Sequence, residues 1–317
     1  MMKFAVITFP YTTDTDLGTA AGPEALLRAG LTNWLREKGH DLAGPFHVKL
    51  SACEEAASGA WNKLGFANAH LARLVSDAVR NRAFPLILES NCYAAIGVWA
   101  GLQMSAGKAS QRLAMVWIDA HGDCNTPETT LSGMLSGMPV AIAIGLCLDR
   151  FRKQSGLYAP IDQRDTVMVC VRANDPLEQE LIDQLEIEMV PVLDIKGDCR
   201  KLRAAMEHLS RSVNAIYVHF DVDALDETEV ASMWLTAPDG PTARELAAAM
   251  EIVMAFPKIA AFGVSDINPE RDVEGQMVHA ALTVIKGGIA ALPGKSTLRH
   301  SGSRGRAPAS REKGKRQ

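Results

Sequence analysis

The sequence predicts an α/β protein built on a mostly parallel central sheet. Three observations carry this. Short β-rich runs alternate with amphipathic stretches almost from end to end. Several of these runs are apolar on both alternating faces, as expected of strands covered by helices on both sides. The chemically loaded segments each follow such a run directly. Strand–helix alternation of this kind implies βαβ units.

The first strand is expected at Lys3–Phe9. The opening MMKFAVITFPYTTDTD turns polar after one short apolar run and offers no small-residue cleavage site, so it reads as a strand and not a leader. A helix follows over Pro23–Lys38, introduced by Gly22-Pro23, since proline suits the first helical position. The next elements are a helix over Ala67–Arg82 and strands at Phe84–Leu88, Leu113–Ile118 and Thr166–Val171. Then come a helix at Pro176–Leu185, a strand at Met189–Leu193 and a helix at Arg200–Arg211. The series ends with a strand at Ala215–Phe220, a helix at Pro241–Phe256 and a strand at Ile259–Val264. No internal repeat or linker interrupts residues 1–294, which read as one domain.

Residues 295–317 differ in kind. Eight Lys/Arg face the single Glu312, and large apolar residues are nearly absent. Such a segment cannot bury enough surface to offset ordering entropy and is expected to be a disordered basic tail. Because the whole chain carries −4, the body before the tail is more acidic than the total, which argues against nucleic acid as the main partner. No apolar run reaches the ~20 residues needed to span a bilayer, so no membrane role is expected. Six cysteines (Cys53, Cys92, Cys124, Cys147, Cys170, Cys199) form no paired framework, which suits a reducing cytoplasm.

In an open parallel sheet, ligands bind at the carboxyl ends of the strands. Asp119 follows LAMVWI, Asp221 follows AIYVHF, Asp266 follows AAFGVS, and Asn91-Cys92 follow PLILES. Within WIDAHGDCNTP the residues Asp119, His121 and Asp123 alternate, so an extended chain points all three the same way; Asp221 and Asp223 do likewise in HFDVDALD. Single aspartates at strand ends usually cap helices or turns. Two such groups after buried strands are a different matter, because four converging carboxylates repel unless cations neutralise them. An oxygen-rich set with one imidazole suits Mn²⁺ or a similar divalent ion, and the donors suffice for two.

These residues carry a resemblance. The blocks AGPEALLRAGL, WIDAHGDCNTPETTLSGMLSGMP, FDVDALD and INPERD resemble the arginase/agmatinase (ureohydrolase) family over roughly residues 3–290. The resemblance implies an arginase-like three-layer α/β/α sandwich, a Mn²⁺ pair, and hydrolysis of a linear guanidino or amidine substrate with release of urea. It implies metal ligands at Asp119, His121, Asp123, Asp221 and Asp223, with Asp119 and Asp221 bridging, and a homo-oligomer, trimeric or hexameric. Asn125, Ser132, Asp175 and Glu178 match family positions that recognise an amino-acid substrate, while Met134 replaces a second asparagine. Taken singly, these four read equally well as loop hydrogen bonding or helix capping, with Pro176 in the first turn.

The chain also departs from the family pattern. Cys92 stands where the family supplies a further histidine ligand. It is either a softer ligand or a buried thiol that only fills space. Ser136 stands where a proton-shuttling histidine is usual, which leaves Asp123 or solvent to protonate the leaving amine. Asp266 replaces the guanidinium-gripping glutamate, and Asp226-Glu227-Thr228 replace the usual proline and glycine-rich stretch. Cysteine at 92, serine at 136 and the HGDCNTPETT loop also resemble an Nω-hydroxyarginine hydrolase subtype. A non-catalytic protein of the same fold is the remaining alternative. His219 reads as a satisfied strand histidine or a support behind the metals, and His279 as structural. Cys124 has no base beside it, no Ser–His–acid set is visible, and GIAALPGKST lacks the context of a phosphate loop.

Overall fold

A computed structural model describes residues 1–13, 18–106, 112–230 and 235–293. The basic segment 295–317 lies outside the described residues. Eight strands form the sheet: β1 (Lys3–Phe9), β2 (Asp41–His47), β3 (Phe84–Glu89), β4 (Leu113–Ile118), β5 (Thr166–Val169), β6 (Glu188–Val190), β7 (Ala215–Asp221) and β8 (Ile259–Ser265). Their order is β2-β1-β3-β8-β7-β4-β5-β6, and every neighbouring pair is parallel.

Side-chain alternation sends each strand into two cores. Ala114, Val116, Ile118, Val218 and Phe220 face one, covered by helices Leu31–Glu37, Arg200–Ser212, Ala243–Met254 and Gln276–Ala291. Met115, Trp117, Ile87 and Tyr217 face the other, covered by Ala60–Arg80 and Ala95–Ser105. The result is a three-layer α/β/α sandwich whose central strands are buried on both faces.

The differences from the sequence reading are local. The stretch 23–38 is two helices, Gly22–Arg28 and Leu31–Glu37, parted at Gly30, whose φ of 88° ends one and caps the next. β2 carries a Gly44-Pro45 pair and is mostly exposed, features of an edge strand that hide it from an alternation search. Pro191 stops β6, and Val192 and Leu193 enter a short helix. Pro241 precedes its helix, where Thr242 is the N-cap and forms a capping box with Glu245. Helix Ala95–Ser105 has its first eight residues buried and so shows no amphipathic stripe.

Sheet order positions the site. After β3 the chain crosses to β4 and leaves a gap that β7 and β8 later fill. The four adjacent central strands β3, β8, β7 and β4 therefore end on one crevice, at the point where strand order switches. Register aligns the ends, with Ile118 opposite Phe220 and Asp221 opposite Ser265.

Candidate metal centre

Asp119 leaves β4 with its side chain buried, and its Oδ1 accepts the His121 backbone N–H at 2.7 Å. This turn aims the His121 ring at Asp223, with Nδ1 2.9 Å from Oδ2 and 3.5 Å from Asp119 Oδ1. The β7 end repeats the device, as Asp221 Oδ1 accepts the Asp223 N–H at 2.9 Å. The two strand ends are also stitched together, because Asp223 Oδ1 accepts the Ala120 N–H at 3.0 Å. Asp123 follows with φ of 48°, a left-handed backbone that aspartate tolerates better than most residues.

Cys92, at the end of β3, is buried and donates through Sγ to Asp221 Oδ2 at 2.8 Å and Asp266 Oδ2 at 3.2 Å. Asn91 Nδ2 donates to Asp266 Oδ1 at 2.8 Å. Ligand-type atoms of Asp119, His121 and Asp223 lie within 4.8 Å of one another, as do those of Cys92, Asp119, His219 and Asp221.

The electrostatics test whether cations fit here. Burial pushes the Asp119, Asp123, Asp221 and Asp266 carboxyls above their ordinary range, and neighbouring aspartates add to the effect. Burial likewise raises the Cys92 thiol, with Asp221 next in importance. Burial disfavours a charged His121, but Asp223 and Asp119 outweigh it and lift the imidazole to about 12. Asp223 opposes its own desolvation through the His121 contact and sits low. So many acids in one crevice cannot all ionise unaided, and bound cations would supply the missing positive charge, so the residues present fit a metal centre.

These residues line a cavity of about 420 Å³ together with Asn125, Ser132, Ser136, Asp175, Glu178 and Asp266. Every site residue expected from the sequence borders this one space. Their hydrogen bonds differ. Glu178 is buried and spends both oxygens on the protein: Oε1 accepts from Cys124 N at 2.8 Å, and Oε2 from Asn125 Nδ2 at 2.9 Å and Asp175 N at 3.2 Å. It is thus a cap and a brace for the loop. Asp175 Oδ2 accepts from Asn125 Nδ2 and Leu131 N, each at 3.2 Å. Ser132 is exposed at the mouth.

Sequence reasoning missed three contributors. Arg172 donates to six carbonyls, those of Cys170, Asp223, Ala224, Leu225, Ala237 and Pro238, and clamps the turn that presents Asp223. Glu89 is a buried carboxylate that ends the otherwise apolar β3; its charge in a buried run was the available signal. Ser265 Oγ donates to Asp221 Oδ2 at 3.0 Å and has no sequence signature.

A sequence model of the arginase family matches residues 2–289. An arginase of Brucella melitensis is 28% identical over 294 residues, covering 89% of this chain and 92% of that protein. The structure of a Bacillus caldovelox arginase superimposes with a TM-score of 0.82 at 26% identity, covering 91% and 98% of the two chains. A Bacillus subtilis formimidoylglutamase shares the fold, with a TM-score of 0.73 at 16% identity and 92% and 87% coverage.

Proposed function

The chain belongs to the arginase family, and from that premise we propose that it hydrolyses a C–N bond of a linear guanidino or amidine substrate, an arginine-like amino acid in first place, with release of urea or a urea analogue. The observation that carries this reading is the convergence of Asp119, His121, Asp123, Asp221 and Asp223 on one cavity that Asn125, Ser132 and Asp175 also border. Five ligand-type side chains converging on one cavity oppose the reading of a non-catalytic protein of the same fold.

His121 and Asp223 with Asp119 would hold one ion, of which Mn²⁺ fits the hard oxygen-rich donors; Asp221 and Cys92, with Asp119 shared and Asp123 lining the same cavity, would serve a second, altered position. Bound there, the pair would activate water and polarise the substrate as Lewis acids. The protein's own groups do the rest. Asp266, oriented by Asn91, faces the cavity as the anionic partner of the cationic group. Asp175 and Asn125, braced by Glu178, stand with Ser132 to receive an amino-acid end. Ser136 cannot shuttle protons near neutral pH, so Asp123 or solvent protonates the leaving amine. All six cysteines are unpaired, in keeping with a reducing cytoplasm. A trimeric or hexameric homo-oligomer is part of the same reading.

Metal analysis followed by urea-release assays on arginine, Nω-hydroxyarginine, agmatine and guanidinobutyrate tests it. The expected result is two ions per chain at saturation and turnover of at least one α-amino-acid substrate. Fewer than about one ion per chain together with no turnover on all four would overturn it.

A further inference from the structure

Behind the cavity, on the same face of the sheet, the protein buries a second polar cluster: Glu89, Tyr217, His219 and Ser265. Such a cluster in a dry core is costly unless each group is satisfied. His219 has no exposed surface, and its ring stacks on Trp117 with centroids 3.9 Å apart and planes 11° from parallel. The stack fixes the plane of the ring. Gly263, beside it, has no room for a side chain, since a Cβ would lie 2.2 Å from Tyr217 Oη and 2.3 Å from Glu89 Oε1. Backbone and packing together build this arrangement.

The hydrogen bonds on the Tyr217 side favour one histidine tautomer. Tyr217 has one hydroxyl proton and donates it to Glu89 Oε1 at 2.8 Å. His219 Nδ1 lies 3.1 Å from that hydroxyl oxygen and 3.4 Å from Glu89 Oε2, a buried oxygen with no hydrogen-bond partner of its own. With the tyrosine proton committed to Glu89, an Nδ1–H faces these acceptors, and Nε2 is then free to bind an ion in place of its contact with Ser265. In a neutral ring the lone pair is then on Nε2. Burial, with Glu89 next, keeps the Tyr217 phenol protonated, so the assignment is stable. Nε2 points to the opposite side, towards Ser265 Oγ at 3.2 Å, and that hydroxyl touches Asp221 and Cys92. A histidine with one ring nitrogen turned to a hydroxyl–carboxylate pair and the other towards acidic and thiol groups has the arrangement of a metal-bound imidazole.

We infer that His219 is a metal ligand through Nε2, and that with Cys92, Asp119 and Asp221 it completes a sulfur–nitrogen–oxygen site. The imidazole missing at position 92 is thus supplied from inside β7, two residues before Asp221. Donor atoms of these four residues already lie within 4.8 Å of one another. A mixed thiolate–imidazole–carboxylate set selects a borderline-soft ion, Zn²⁺ or Co²⁺, over Mn²⁺. The two positions then differ in chemistry, one hard and one soft. This rests on the cavity being a metal centre, as proposed above, but not on the substrate.

The test uses the full chain with His121→Ala, which removes the imidazole of the other position, loaded with Co²⁺. X-ray absorption at the cobalt edge should show one ion per chain with one sulfur and one imidazole, and thiolate-to-cobalt charge-transfer absorption should appear. Adding His219→Gln should remove the imidazole signal and weaken Co²⁺ binding at least tenfold. Sulfur without imidazole, or no bound ion in the His121→Ala protein, overturns the assignment, and neither result depends on the double variant folding. A double variant that binds Co²⁺ unchanged overturns it too. If the spectra are as expected but the unsubstituted, metal-loaded protein hydrolyses no guanidino substrate, the functional reading fails while the site stands.

Discussion

Asp266 shows how much one residue of this site depends on its neighbours. Its φ of 63° turns the chain just past β8, and Asn91 Nδ2 and Cys92 Sγ hold its two oxygens. Asp266→Asn keeps the shape and removes the charge. It is expected to lower kcat/KM by about 10²-fold or more while ion content stays at the wild-type level. An unchanged kcat/KM on the preferred substrate would show that Asp266 does not hold the cationic group. At this scale the sequence was informative wherever chemistry and spacing coincide. Asp119, His121, Asp123, Asp221 and Asp223 were legible because alternate carboxylates follow buried strands. For Glu178 the sequence offered substrate recognition or helix capping; the structure shows the cap, and its bracing role needed the 2.9 Å contact to Asn125. His219 and Ser265 were not assignable, because their meaning lies in pairings across β7 and β8.

Elements hold the site through their ends. The turn after β7 keeps its shape because the Arg172 guanidinium gathers carbonyls from both sides of it. Arg172→Ala leaves several part-buried carbonyls without donors and should cost on the order of 3 kcal/mol in denaturant unfolding, with weaker ion binding at the Asp223 position. Lysine should not restore it, since one ammonium with three donors cannot span six acceptors. Recovery of wild-type stability by Arg172→Lys would show that charge alone matters. Thr242→Ala, far from the cavity, removes a capping box and should cost about 1 kcal/mol with ion content unchanged. Long amphipathic helices and buried strands announced themselves in the sequence. The edge strand β2 and the buried helix Ala95–Ser105 did not, since neither alternates polar and apolar residues in its element's period.

Over the whole molecule, parallel order was predictable from βαβ alternation, but the strand sequence that makes β3, β8, β7 and β4 neighbours was not. That order concentrates acid in the middle of the fold, and the consequence is a stability that depends on pH and metal together. In the metal-free protein Asp119, Asp123 and Asp266 are raised by burial and then by one another. A raised acid binds its proton more tightly folded than unfolded. Its contribution is complete below the unfolded value and is lost as pH rises through the folded one. His121, lifted to about 12 by Asp223 and Asp119 against the cost of burial, acts in the same sense at higher pH. Asp223, held low, acts oppositely, but only below the usual carboxylate range. Rising pH therefore destabilises the metal-free fold. Each proton retained on folding is worth about 1.4 kcal/mol per pH unit. Chelator-treated protein should lose Tm steadily from about pH 5.5 to about pH 8.5, by at most roughly 2–4 °C per kcal/mol. Saturating metal displaces those protons, so the loaded protein should be more stable and its Tm nearly flat over the same range. Metal addition near neutral pH should also release protons, measurable with an indicator in weak buffer. A chelated protein whose Tm holds or rises with pH would mean that the buried acids are compensated within the fold and need no ion.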